Sequence, residues 1–130
     1  MPNQSVLCID DDSFYRDLFE TVLSAKGFSV RTAATPQEGL QAIAAGRPDV
    51  IMLDVMMPES DGVLDGFAFL DRLKVDPVTA GIPVVMISSL GEAEDIERGM
   101  RGGAAAYMPK HEMTPDILAK ILTDTISQGT

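Results

Sequence analysis

Three consecutive aspartates, Asp10, Asp11 and Asp12, follow a short apolar run at residues 6–9. Asp54 ends a second such run at 50–53, Ser88 a third at 82–87, and Lys110 stands just beyond a fourth at 104–108. Each residue has an ordinary use on its own. The aspartates can form a solvated turn and cap the segment starting at Ser13, a serine can simply close a strand, and a single lysine is usually a surface residue. As a set they can do more. Carboxylates held together repel and raise one another's pKa, and a hard divalent cation such as Mg²⁺ removes that penalty through oxygen ligation. A carboxylate beside such an ion can act as a nucleophile and form an acyl phosphate. The cation and a lysine then offset charge on the transferring group, and a serine hydroxyl can hydrogen-bond its oxygens.

That chemistry requires the chain to bring the four positions together. Apolar runs of strand length alternate with segments of helical period, giving five strand–helix units. Phe14, Leu18 and Val22 mark one face of a first helix that Gly27 ends, and a second strand is expected at 28–32. Thr35, Pro36 and Glu38 carry the signature of a helix start with a capping box. Leu40 and Ile43 form its stripe, and Gly46 closes it. A third helix carries Phe67, Leu70 and Leu73 and stops at Asp76-Pro77. A fourth, over about 92–100, has Ile96 and Met100 on one face and is weakened by Gly99, Gly102 and Gly103. Thr114-Pro115 starts a fifth, with Ile117 and Ile121, joined by Leu118 and Leu122, facing inward. Strands that are continuous apolar runs are buried on both faces, so the expected fold is α/β, a five-stranded parallel, doubly wound sheet. In such sheets ligands bind beyond the C-terminal strand ends, where Asp10/Asp11, Asp54, Ser88 and Lys110 all fall.

Composition narrows the function classes. The 130 residues suit one domain spanning the whole chain, and 45% apolar with 23% charged residues is a globular balance. The net charge of −10 argues against a general nucleic-acid surface. No apolar stretch is long enough to span a membrane, and the N-terminus lacks a signal-peptide pattern. Cys8 is the one cysteine, in keeping with a reducing compartment. A cytoplasmic protein is expected.

The segments VLCIDDD, IMLDVMMP, PVVMISS and GAAAYMPK, in this order and spacing, resemble the receiver domain of two-component response regulators over nearly the whole chain. The resemblance implies a flavodoxin-like (βα)5 receiver fold and a signalling switch. Such a switch catalyses only its own phosphorylation and dephosphorylation. It implies phosphoryl transfer from a histidine kinase or phosphotransfer protein to Asp54. Mg²⁺ would be held by Asp10, Asp11, Asp54 and the backbone carbonyl of Met56, with Asp10 acting mainly through water; Mn²⁺ or Ca²⁺ can substitute. Ser88 becomes the switch hydroxyl, Lys110 the phosphate-pairing lysine and Tyr107 the switch aromatic, which turns inward when Ser88 moves to the phosphoryl group. The signal would leave through the fourth helix, fifth strand and fifth helix, toward a partner protein, a fused output domain or a second copy.

Several positions depart from the family pattern. Two Asp-Gly pairs, Asp61-Gly62 and Asp65-Gly66, compete to open the third helix, and the second fits better, so Ser60 to Leu64 reads as an insertion of about one turn. His111 follows Lys110 where many relatives carry proline, and a trans bond is expected because a non-proline cis bond costs about 3 kcal/mol. Met56 and Leu90 are apolar where some relatives help a water attack the phosphoryl group. Two other readings remain. One is a Mg²⁺-dependent phosphatase of the haloacid-dehalogenase type with Asp10 as nucleophile, which leaves IMLDVMMP unexplained. The other is a receiver-like binding module that is never phosphorylated.

Overall fold

A computed structural model describes residues 4–56, 66–88 and 93–128. The strands are β1 (Ser5–Ile9), β2 (Ser29–Ala33), β3 (Val50–Asp54), β4 (Val84–Ser88) and β5 (Ala106–Pro109). The helices α1 (Ser13–Ala25), α2 (Pro36–Ala45), α3 (Gly66–Val75), α4 (Ala93–Arg101) and α5 (Pro115–Gln128) alternate with them. All strand pairings are parallel, in the order β2-β1-β3-β4-β5.

Successive strand side chains point to opposite faces, and here both faces are covered. Leu7, Ile9, Ile51, Leu53, Val84 and Met86 meet Ile43 of α2 and Phe67, Phe69, Leu70 and Leu73 of α3. Val6, Cys8, Val50, Met52, Val85 and Ile87 meet Phe19 and Leu23 of α1 and Leu118, Leu122 and Ile126 of α5. This double burial is why the central strands read as unbroken apolar runs.

Local chemistry sets the helix ends. Thr35 Oγ1 accepts from the Glu38 N–H at 3.1 Å, while the Glu38 carboxylate accepts from the Ala34 N–H at 3.3 Å, one residue short of the capping-box partner. Thr114 Oγ1 accepts from the Ile117 N–H at 3.2 Å and caps α5. Gly27 and Gly103, at φ +94° and +105°, end α1 and α4 through paired bonds, Gly27 N–H to Ser24 O with Phe28 N–H to Leu23 O, and Gly103 N–H to Met100 O with Ala104 N–H to Gly99 O. Gly102 and Gly103 therefore lie past the end of α4 and stop it; of the three glycines expected to weaken that helix, only Gly99 is inside it.

Three expected helix faces need correction. On α1, Phe14 and Leu18 are 66% and 41% exposed, and the buried residues are Phe19 and Leu23. Tyr15, Phe19 and Leu23 repeat at the same i, i+4, i+8 spacing one position further on, so period alone could not choose between the stripes. On α5, Leu118, Leu122, Thr125 and Ile126 are buried and Ile121 packs partly, but Ile117 faces outward. On α4, the buried residue is Gly99, and Met100 is exposed. Among the described residues, no helix is long and apolar enough to cross a membrane.

Candidate functional site

Strand register assembles the site. Ile9 pairs with Leu53, Asp54 with Ile87, and Ser88 with Pro109. Asp10, Asp54, Ser88 and Lys110 thus emerge along one edge of four neighbouring strands. Carboxylate oxygens of Asp10, Asp11 and Asp54 all lie within 4.8 Å of one another. Asp10 and Asp54 are buried, and Asp11 is half-buried.

The three leading aspartates divide their work. Asp12 is the helix cap, its Oδ1 accepting from the Phe14 N–H at 2.9 Å. Asp10 turns inward, its Oδ1 accepting from the Asp12 N–H at 2.9 Å, and the Arg16 guanidinium donates to its backbone carbonyl at 2.9 Å. Lys110 Nζ lies 2.9 Å from Asp10 Oδ2 and 3.6 Å from Asp54 Oδ1, so one ammonium is shared by two buried carboxylates. Lys110 begins a 3-10 turn, Lys110–Glu112, and the described residues contain no cis peptide bond.

Electrostatics report a shortage of positive charge. Burial, and then the Asp10 carboxylate, push the Asp54 pKa up from 3.8 to about 7, against the opposing pull of Lys110 and the Met56 N–H. Burial alone would lower the Lys110 pKa, but the Asp10 and Asp54 carboxylates hold it above its ordinary value. Burial likewise pushes the Cys8 thiol up, leaving it a core residue. Asp10 Oδ2 is buried and receives no aligned hydrogen bond, its ammonium neighbour being a charge contact only. Three clustered carboxylates, one of them with an oxygen that receives no hydrogen bond, share a single lysine and fit a hard divalent cation, which prefers oxygen ligands. Met56 follows Asp54 by two residues, with its N–H 3.4 Å from Asp54 Oδ1 and its side chain 46% exposed.

Ser88 is fully buried at the end of β4. Burial raises the Tyr107 pKa, while a hydrogen bond with the Ser88 side chain lowers it. A Cβ on Gly99 would lie 3.1 Å from both Met86 Sδ and Tyr107 Cδ2, so this glycine lets α4 rest on the tyrosine ring. Tyr107 is half-buried and is in contact with Ser88 in this structure. Gly66 decides between the two Asp-Gly pairs. It opens α3, and a Cβ there would fall 2.3 Å from Asp54 O and 2.6 Å from Val55 Cα. The insertion expected between Ser60 and Leu64, and Leu90, lie outside the described residues.

The Response regulator receiver domain family matches residues 6–122. The chain belongs to this receiver family. Its relatives include the gliding motility regulatory protein of Myxococcus xanthus, 38% identical over 90% of this chain and 14% of that protein. The transcriptional regulator RpaA of Synechocystis is 36% identical over 95% of this chain and 52% of its own length. This receiver therefore spans about half or less of these relatives. Among solved structures, the receiver domain of NtrX from Brucella abortus matches with TM-score 0.85 and 33% identity over 94% of this chain and 98% of that one. The chemotaxis protein CheY4 of Vibrio cholerae matches at 0.84 and 29%, over 95% and 98%. Receiver domains are phosphorylation-dependent signalling switches rather than turnover enzymes, and they bind Mg²⁺ at an acidic pocket. In this receiver the acidic cluster is Asp10, Asp11 and Asp54.

Two contacts of this receiver's site were missed in the sequence. Arg16 reaches the Asp10 carbonyl, and the Tyr15 ring covers Lys110 Nζ at 3.9 Å. Their position in the first turns of α1, directly after the acidic run, was the available signal.

Proposed function

We propose that this chain is a single receiver domain that accepts a phosphoryl group on Asp54 from a histidine kinase or phosphotransfer protein. The observation that carries the reading is the carboxylate cluster with Lys110 bridging Asp10 and Asp54. In the transfer, an Asp54 oxygen bonds to phosphorus as the bond to the donor nitrogen breaks, and the imidazole leaves with that electron pair. Mg²⁺, when bound by Asp10, Asp11, Asp54 and the Met56 carbonyl, supplies charge neutralisation for the anionic group. Lys110 turns from the carboxylates to the phosphoryl oxygens, and Ser88 supplies a hydroxyl donor. Lys110 lies nearer Asp10 Oδ2, at 2.9 Å, than Asp54 Oδ1, at 3.6 Å, so Asp54 is the less closely paired carboxylate, which favours it as nucleophile over the phosphatase reading. Presence of every acceptor-site residue weighs against a binding module that is never phosphorylated. A cytoplasmic location agrees with these partners.

The relay runs through Ser88. Drawing its hydroxyl to the phosphoryl group removes a hydrogen bond from Tyr107, whose ring supports α4 at Gly99. The α4–β5–α5 face is then the output surface for a partner protein, a fused output domain or a second copy. Phosphorylation can shift this face only through contacts that differ between the two states. Hydrogen exchange with beryllofluoride, a phosphoryl mimic, tests the reading. With Mg²⁺ present, changes are expected at residues 84–88 and 93–109, and a chelator should remove them. No change on adding beryllofluoride and Mg²⁺ would contradict the acceptor site; changes that stop short of residues 93–109 would contradict the relay.

A further inference from the structure

Lys110 has a partner that the transfer chemistry above leaves unused. The Tyr15 ring centroid lies 3.9 Å from Lys110 Nζ, within range of a cation–π attraction. The ring is itself held: it stands edge-on to Phe14 at 5.3 Å and 82° and tilted on Phe19 at 5.7 Å and 31°. Phe19 is 3% exposed and belongs to the core under α1. A rigid path thus runs from that core through Tyr15 to the ammonium, and from there to Asp10 and Asp54.

We infer that Tyr15 is a positioning residue whose ring clamps the Lys110 ammonium in place for phosphoryl transfer to Asp54. The inference rests on the acceptor reading given under Proposed function. A lysine side chain is long and loses much rotamer freedom when fixed. Here an aromatic face removes part of that freedom in advance, so the ammonium is already at the site when charge develops on the transferring group. The chemistry of the ring suits a group that must hold and then release. A third carboxylate would bind the ammonium strongly and compete with the phosphoryl oxygens. A π face attracts it, carries no net charge and accepts no proton, so Lys110 stays free to swing to the phosphoryl group. Tyr15 and Lys110 also line a groove of about 270 Å³ between α1 and α5, with Phe19, Met113 and Leu118. Shortening the ring would extend that groove to the ammonium and let water compete for it.

The test compares initial rates of phosphoryl incorporation from acetyl phosphate with Mg²⁺ for the wild type, Tyr15→Leu and Tyr15→Phe. The leucine variant keeps an apolar side chain without a π face and is expected to be slower by roughly fivefold. The phenylalanine variant keeps the face and should lie within about twofold of the wild type. Leucine at the wild-type rate, or phenylalanine no faster than leucine, would overturn the clamp. A second measurement needs no variant and no phosphodonor. In NMR spectra of the wild-type protein, ring current should place the Lys110 CεH₂ resonances upfield of those of exposed Lys120, and absence of that shift would also overturn the proposal. A wild type that takes no phosphoryl group at all would sink the acceptor reading, while the NMR result would still decide the clamp.

Discussion

Asp54→Asn is expected to lose phosphoryl incorporation from acetyl phosphate by roughly 100-fold or more, with the fold intact. The amide nearly matches the carboxylate in shape but is a far poorer nucleophile. Asp54 is at the end of β3 and its backbone is paired in the sheet, so the substitution leaves the strand unaltered. Lys110 keeps its contact with Asp10. Asp10→Asn should behave differently, because Asp10 contributes charge to the cluster without being the acceptor. Incorporation should weaken but persist. Full labelling of Asp54→Asn in intact-mass spectra would remove Asp54 from the acceptor role.

The second large effect is on stability, and it has a definite sign. Burial and the Asp10 charge raise the Asp54 pKa from 3.8 to about 7 in the folded, cation-free chain. A carboxyl whose folded pKa is raised binds more protons folded than unfolded between those two values. Its contribution to stability is fully present below the unfolded pKa and is lost as pH rises through the folded one. The cation-free wild type should therefore lose stability relative to Asp54→Asn between about pH 4 and pH 7. From the acid limit to pH 8 the gap is expected to widen in the variant's favour by on the order of 4 kcal/mol, or roughly 12 °C in thermal midpoint. Mg²⁺ should close most of that gap by stabilising only the wild type, since a ligand that binds the native state alone raises its stability. Parallel thermal melts at pH 5 and pH 8, with chelator and with Mg²⁺, read this directly. A gap that is the same at both pH values would mean that Asp54 is not ionised against a penalty.

Much of this was legible in the sequence because two signals coincided. The central strands are buried on both faces and so appear as unbroken apolar runs, and each of three such runs ends in a polar residue, Asp10, Asp54 or Ser88. Strand ends are easy to mark, and parallel register then brings them to one edge. Helix faces were harder to read. On α1 two stripes share the same spacing, and only packing on the sheet selects Tyr15, Phe19 and Leu23 over Phe14, Leu18 and Val22. Contacts between side chains distant in sequence, such as Tyr15 with Lys110 or Ser88 with Tyr107, leave no periodic trace. The choice between Gly62 and Gly66 could be argued from the residues that follow, but its cause is steric: the backbone of Asp54 and Val55 leaves no space for a Cβ at Gly66.

The site of the covalent bond is the most direct test. The protein should be phosphorylated with acetyl phosphate and Mg²⁺, reduced with borohydride and digested, so that an acyl phosphate is converted to an alcohol and its residue can be read by peptide sequencing. The account predicts homoserine at position 54 and nowhere else. Homoserine at position 10, with Asp54 unmodified, would contradict it and would point instead to a phosphatase-type nucleophile at the end of β1.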